Sequence, residues 1–270
     1  MGELDGKVAI VTGSGRLRGI GRAAAVALAK LGADIVVTGT GRDPSSFPDD
    51  EKAVGWRDVE SVADQVRAEG RSCLTLTVDV SDKDDVQNMV NRTVEEFGRV
   101  DILINNAAYA RGVDRVPILE LDQEIFQRVM DIKVTGTFLC TKAAIKHMIE
   151  QGQGGKIVNI SSSAGKRGSA NTLAYNGANF AIVGMTQSMA RELGPHNINV
   201  NAVCPGAVDT HRMDDLGRGD TWTNMADSTP IGRNGTDDEV GDFCAYLCTE
   251  AASWIHGQSI NQNGGTVMEH

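Results

Sequence analysis

Along the chain, short apolar runs rich in β-branched residues alternate with longer stretches whose apolar positions recur at helical spacing. "KVAIVTG" (7–13) reads as a buried strand, and "GRAAAVALAKLG" (21–32) as a helix stopped by Gly32. "DIVVTG" (34–39) is a second strand, and "RDVESVADQVRAEG" (57–70) a second helix with its own glycine stop. "SCLTLTVDV" (72–80), "DILINNA" (101–107), "GKIVNISS" (155–162) and "NINVNAVCPG" (197–206) predict further strands. Between them, 83–98, about 121–150 and 174–194 predict helices. Such alternation implies parallel strands joined by right-handed crossovers, hence an α/β doubly wound (Rossmann) sheet with helices on both faces. The 270 residues suit a single domain, with no internal repeat and no low-complexity linker.

Two segments break the rhythm. Residues 38–55 form a polar connection rich in Pro, Gly, Ser and Asp, and 206–236 form a longer one. Loops of this length in a compact domain are usually functional. The second follows the carboxyl end of a strand, where open α/β sheets bind ligands, so it reads as a substrate lid. The plainer reading is a solvated excursion.

The first strand-to-helix turn, "VTGSGRLRGIGRA" (11–23), carries candidate chemistry. Gly13 permits a tight turn, Gly19 lets backbone approach a phosphate, and Gly21 allows close helix packing. Ser14, Gly15, Arg16, Arg18 and Ile20 complete the loop. The amides that open the helix would face an anion. The spacing, Gly13-x5-Gly19-x-Gly21, departs from the strict dinucleotide fingerprint. Cofactor choice turns on the end of the second strand, where an acid would bind a ribose hydroxyl and a base a 2′-phosphate. Thr40 and Arg42 lie there, with no acid before Asp43. Arg16, Arg18 and Arg42 together favour NADP(H) over NAD(H), although an acid in a shifted register would restore NAD(H).

Composition narrows the partners. A formal net charge of -10, pI near 5.0 and no basic cluster argue against nucleic acid. No apolar run approaches membrane-spanning length, and the N-terminus lacks signal-peptide character, so a cytoplasmic protein with no membrane partner is expected. The five cysteines show no CxxC and no accompanying histidines; Cys244 and Cys248 read as buried thiols, and no metal site is expected.

The ordered set formed by the glycine loop, "VDV" (78–80), "NNAA" (105–108), "NISS" (159–162), Tyr175, "CPGAVDT" (204–210) and "GQSINQNGG" (257–265) resembles the short-chain dehydrogenase/reductase family over nearly the whole chain. The resemblance implies about seven strands in one domain, a nicotinamide dinucleotide, a small alcohol or carbonyl substrate and a homo-oligomer, tetramer or dimer. It also implies that Asp79 and Val80 flank the adenine and that Asn106, Ala107 and Ala108 line the cofactor. Pro205, Gly206, Val208 and Thr210 would sit by the nicotinamide. Ala108 stands where the family usually has glycine.

The family's chemistry uses a tyrosine that moves the proton, a serine that polarises the substrate oxygen, a lysine that holds the ribose and assists the tyrosine, and an asparagine in the proton relay. Ser162 lies thirteen residues before Tyr175, the family spacing; Ser161 and Ser163 stay open as alternatives. The lysine position, one helical turn after Tyr175, holds Asn179, and alignment on Gly136 puts Lys133 where asparagine belongs. A free tyrosine has a pKa of about 10, so about one molecule in a thousand is phenolate at neutral pH. A neutral amide offers no full charge to such an ion, and a hundredfold loss of assistance costs about 2.7 kcal/mol. Lys133 shares a helical stripe with Val129, Gly136 and Cys140 and so must be paired, snorkel out or lie beside a cleft. The expectation is an exchange: Lys133 supplies the charge near Tyr175, and the Asn179 amide holds the ribose. The alternatives are a catalytically silent dinucleotide-binding regulatory or scaffold protein, and a non-redox lyase or epimerase. Tyr109, Arg111, His211, Arg212, Met213, Trp222 and Met225 are expected to border the substrate or to pack ordinarily; His147 and His196 read as structural.

Overall fold

In the computed structural model, which describes residues 2–268, the apolar runs become β1 (Val8–Val11), β2 (Asp34–Gly39), β3 (Cys73–Thr77), β4 (Ile102–Asn105), β5 (Gly155–Ile160) and β6 (Ile198–Pro205). Two short strands, β7 (Val208–Asp209) and β8 (Gly235–Thr236), pair with each other, and β9 (Ser259–Gln262) closes the main sheet. Seven parallel strands run in the order β3-β2-β1-β4-β5-β6-β9. β1 and β4 are buried at every position, which is why they read as unbroken apolar runs rather than as alternation. The order reverses beside β1, and the β1 and β4 carboxyl ends open there onto a crevice, the expected ligand position of a doubly wound sheet.

The helices are α1 (Ile20–Lys30), α2 (Asp49–Ala53), α3 (Val59–Ala68), α4 (Lys83–Phe97), α5 (Gln123–Met130), α6 (Gly136–Gln151), α7 (Leu173–Leu193), α8 (Asp220–Asp227) and α9 (Asp237–Leu247). One core, built on Val11, Ile35, Ile104 and Leu28, lies under α1, α3 and α9. A second, built on Ile10, Leu103, Met89 and Met148, lies under α4 and α6 on the opposite face. A buried chain of side-chain hydrogen bonds crosses the sheet beneath the site. Asn105 Nδ2 donates to Thr141 Oγ1 (3.1 Å) and Asn159 Oδ1 (2.9 Å), and Asn159 Nδ2 donates to Thr186 Oγ1 (2.9 Å). It fixes β4 and β5 against α6 and α7, the helices flanking the catalytic candidates.

The helix expected over about 121–150 is interrupted by a wider π turn at Asp131–Thr135. Such turns re-aim side chains at functional positions. Here the turn contains Lys133, and Val129, Lys133, Gly136 and Cys140 are all buried, the stripe that the spacing predicts. At Gly136 an added Cβ would fall 2.7 Å from Val80 Cγ2, so the helix sits on the strand end too closely for any side chain. The two irregular segments are partly structured: 38–55 contains α2, and 206–236 contains the β7–β8 pair and α8. Among the described residues, no helix is long and apolar enough to cross a membrane.

Candidate active site

The chain leaves β1 through Gly13, whose φ of +65° favours glycine and whose Cβ position lies 2.8 Å from Ala107 Cα. Asn106 fastens this turn: its Nδ2 donates to the carbonyls of Thr12 (2.9 Å) and Gly13 (2.8 Å). Thr12 Oγ1 accepts from the amides of Asn106 (3.0 Å) and Ala107 (3.1 Å). The first hydrogen bond of α1 is donated by Ala23 to Gly19 O, so the amides of Ile20, Gly21 and Arg22 precede it and lie at a cleft of about 550 Å³. A phosphate fits there because these donors have no helical acceptor and the helix dipole favours an anion.

The cleft brings together most of the residues that the sequence indicates. Gly13, Gly15, Arg16, Arg18, Gly19, Ile20 and Gly21 line its floor; Thr40, Arg42, Asp79 and Val80 line one end. Asn106, Ala107, Ala108 and Thr210 line the other, with Tyr109, Arg111, His211 and Arg212 beyond them. Ser14 turns inward instead, donating to Val11 O and Thr38 O. Pro205, Gly206 and Val208 stand behind the lining, where Pro205 O accepts from Ser163 Oγ.

The three arginines expected to meet a phosphate are engaged within the protein. Arg42 donates to Glu51 Oε2 (2.8 Å), to Asp58 Oδ1 (3.0 Å) and to Gly15 O (2.9 Å), and its guanidinium lies over the Phe47 ring. Arg18 reaches Asp50 (2.8 Å), Asp209 (3.0 Å) and Asp214 (2.6 Å), tying the 38–55 segment to the 206–236 segment. Arg16 lies 3.7 Å from Glu51, and its buried Nη1 makes no hydrogen bond. Asp58 was not legible as a site residue. The sequence places it within the helix expected over 57–70, yet it precedes α3, its side chain makes no capping bond and its φ is +54°. It reaches back over the glycine loop so closely that a Cβ on Gly15 would fall 1.6 Å from its Oδ1.

Tyr175 sits in the first turn of α7, half-buried. Arg115 stands over its ring with the guanidinium carbon 3.8 Å from the centroid, and Arg212 with 5.1 Å. Arg115, from the loop after β4, carries no signal in the sequence that points to this place. Lys133 is 5% exposed. Burial, and then the charge of Arg212, push its ammonium down to about 7. Positive charge over the Tyr175 ring is guanidinium from two loops, and Lys133 makes no contact with that ring. Asn179, 1% exposed, donates from Nδ2 to Tyr175 O one turn back (2.9 Å), and its buried Oδ1 has no partner. Among the three serines, Ser161 donates to Asn179 O (3.0 Å) and Ser163 to Pro205 O (3.0 Å). Ser162 Oγ accepts from Ala164 N (3.1 Å), leaving its proton without an acceptor among the described residues.

The cysteines are free thiols, and among the described residues no group of His, Cys, Asp or Glu could hold a metal. Burial raises Cys244 and Cys248, the latter to about 12, which makes both inert at neutral pH.

A family model described as "Enoyl-(Acyl carrier protein) reductase" matches residues 13–267. The chain is 34% identical to the 3-oxoacyl-[acyl-carrier-protein] reductase of a Synechocystis strain, covering 99% of this chain and 100% of the relative. It is also 34% identical to the 2-dehydro-3-deoxy-D-gluconate 5-dehydrogenase of Escherichia coli, covering 97% and 96%. Among solved structures, a mutant short-chain dehydrogenase/reductase from Serratia marcescens matches with a TM-score of 0.85 at 34% identity over 98% and 99% of the two chains. An acetoin dehydrogenase from Enterobacter cloacae matches with 0.79 at 35% identity over 96% and 95%.

Proposed function

Because the chain belongs to the short-chain dehydrogenase/reductase family and is an oxidoreductase of that type, we propose that it interconverts a secondary alcohol and a carbonyl with Tyr175 as the proton-transfer group. The observation that carries this reading is the continuity of the cleft. It runs from the amides opening α1 to Arg212, whose guanidinium covers the Tyr175 ring. A bound nicotinamide dinucleotide supplies the hydride donor or acceptor. Ser162 offers its proton to the substrate oxygen, and the Tyr175 hydroxyl gives or takes the proton there. Arg115, Arg212 and Lys133 stabilise the negative charge that develops as it does so. Asn179 holds the first turn of α7 through Tyr175 O, and its buried Oδ1 lies outside the cleft lining.

The charge balance at the far end favours NAD(H). Arg16, Arg18, Arg42 and Arg218 stand among Asp50, Glu51, Asp58, Asp209 and Asp214, four cations against five acids, a slightly negative surrounding that suits a neutral diol better than a 2′-phosphate. Asp58 is the acid in a shifted register. NADP(H) is the second reading, carried by the buried Nη1 of Arg16 that lacks a hydrogen bond. Asp58→Asn, an isostere that tolerates the positive φ, frees Arg42 and lowers the NAD-to-NADP ratio of kcat/KM by about tenfold or more. Steady-state assays with both cofactors check this, and an unchanged ratio removes Asp58 from cofactor selection.

Oxidation of NADH by a panel of carbonyl compounds tests the activity itself. Tight dinucleotide binding without turnover of any of them favours the catalytically silent reading. The exposed Phe138 and Ile149 on α6 and Leu173 and Phe180 on α7 support a homo-oligomer.

A further inference from the structure

We propose that the substrate carries a carboxylate on, or one carbon away from, its reacting carbon, and that Arg115 and Arg212 are the residues that hold it; this rests on the oxidoreductase reading above. Elsewhere in the molecule, half-buried arginines are matched by acids. Arg18 meets three carboxylates, Arg42 meets Glu51 and Asp58, and Arg99 meets Asp101 at 2.6 Å. At Tyr175 the matching is incomplete: Arg115 has one acid, Asp114, and among the described residues Arg212 has none. Among the described residues the Arg115 guanidinium makes no hydrogen bond, and its buried Nε and Asp114 Oδ2, 3.1 Å apart, are both unsatisfied. Arg212 donates once, from Nη1 to Tyr109 O. Two guanidiniums from unrelated segments therefore converge on one phenol ring with most of their donors open. Like charges placed so close repel each other; burial holds the Arg115 pKa below the ordinary guanidinium range, with Asp114 and Tyr175 pulling it up and Arg212 and Arg111 adding to the lowering.

The balance of groups identifies the ligand. Arg111, Arg115 and Arg212 face two carboxylates, Asp114 and Asp215, leaving one positive charge in excess. A single negative charge on a planar, two-oxygen group satisfies that excess, and guanidinium forks match a carboxylate in shape as well as charge. Because both guanidiniums lie over the ring whose hydroxyl moves the proton, the bound carboxylate is close to the carbon that undergoes reaction.

Oxamate, a carboxylate beside a carbonyl that is not reduced, is the binding probe, with methyl oxamate as its neutral counterpart. Calorimetry on the protein saturated with NAD(H) is expected to show oxamate binding and no ester binding. Arg115→Met and Arg212→Met each weaken oxamate about tenfold or more while nucleotide affinity stays within about twofold. The Lys variants at both positions, which keep the charge and lose the fork, are expected to fall between and keep the test open if a Met variant does not fold. In turnover, kcat/KM for acetoacetate and pyruvate exceeds that of their methyl esters by about a hundredfold, and the preference collapses in the variants. Equal binding of oxamate and ester, or variants that bind oxamate as the parent does, overturns the carboxylate site. Turnover of neutral carbonyls with no oxamate binding also overturns it and leaves the oxidoreductase reading standing. Oxamate binding without any turnover does the reverse.

Discussion

Tyr175→Phe is expected to lower kcat about a thousandfold while leaving dinucleotide affinity within about twofold. The substitution removes one oxygen and keeps the ring, so the guanidiniums of Arg115 and Arg212 retain the aromatic face on which they rest. Packing is preserved as well, since Tyr175 sits in the first turn of α7, held by Asn179 Nδ2 on its carbonyl rather than by its hydroxyl. What disappears is the proton donor and acceptor, and Ser162 is a poor substitute. Its hydroxyl has one proton to offer and already accepts from Ala164 N. Single-turnover hydride transfer together with fluorescence titration of NADH separates chemistry from binding. Retention of more than about a tenth of the parent kcat would show that another group moves the proton.

Lys133→Met is expected to do two opposite things: stabilise the fold and slow the reaction. Lys133 is buried in a turn of π helix, and its ammonium is pushed down to about 7, first by burial and then by Arg212. Its unfolded value is the ordinary 10.5. Between these two values the unfolded chain binds more protons than the folded one, so the parent becomes more stable as pH rises through that window. The penalty is fully present below about 7 and gone above the unfolded value. Methionine fills the same volume without a charge, so it stabilises by about 2 kcal/mol near neutral pH, or several degrees in Tm. That gain is larger at about pH 6 than at about pH 9. Denaturant midpoints across pH check the sign; a variant less stable than the parent at low pH would mean that the lysine is satisfied by a partner. In catalysis the loss of a cation coupled to Arg212 lowers kcat by about tenfold, with cofactor affinity still measurable. The arginines over the ring are the reason the loss is not total. Full activity in the methionine variant would remove Lys133 from the mechanism.

The sheet and its order of elements were readable because the signals are local. Val8–Val11 and Ile102–Asn105 are apolar at nearly every position because both faces of a central parallel strand are covered. Gly32 ends a helix from within its own neighbourhood, and the stripe of Val129, Lys133, Gly136 and Cys140 follows from helical period alone. The π turn was not readable, since it changes spacing by one hydrogen bond and leaves the residue pattern intact. The glycine loop was legible for the same local reason: a left-handed turn and a close helix approach restrict which residues fit at Gly13 and Gly21.

The charges behaved differently. Counting Arg16, Arg18 and Arg42 near one phosphate position gave a basic pocket, because the count extended only as far as neighbours in sequence. In three dimensions Asp209 and Asp214 return from the 206–236 segment and Asp58 folds back from the start of α3, and these acids meet Arg18 and Arg42. The missing lysine after Tyr175 was equally plain in the sequence, and an exchange with Lys133 was its simplest local repair. Arg115 and Arg212 come from two loops far apart in the chain and meet only over the phenol ring. Backbone period and glycine geometry depend on residues a few positions apart, so the sequence alone determined the fold and the nucleotide turn. Electrostatic interactions depend on distance through space, whatever the separation along the chain, so only the tertiary structure decided which charges surround Arg42 and the tyrosine.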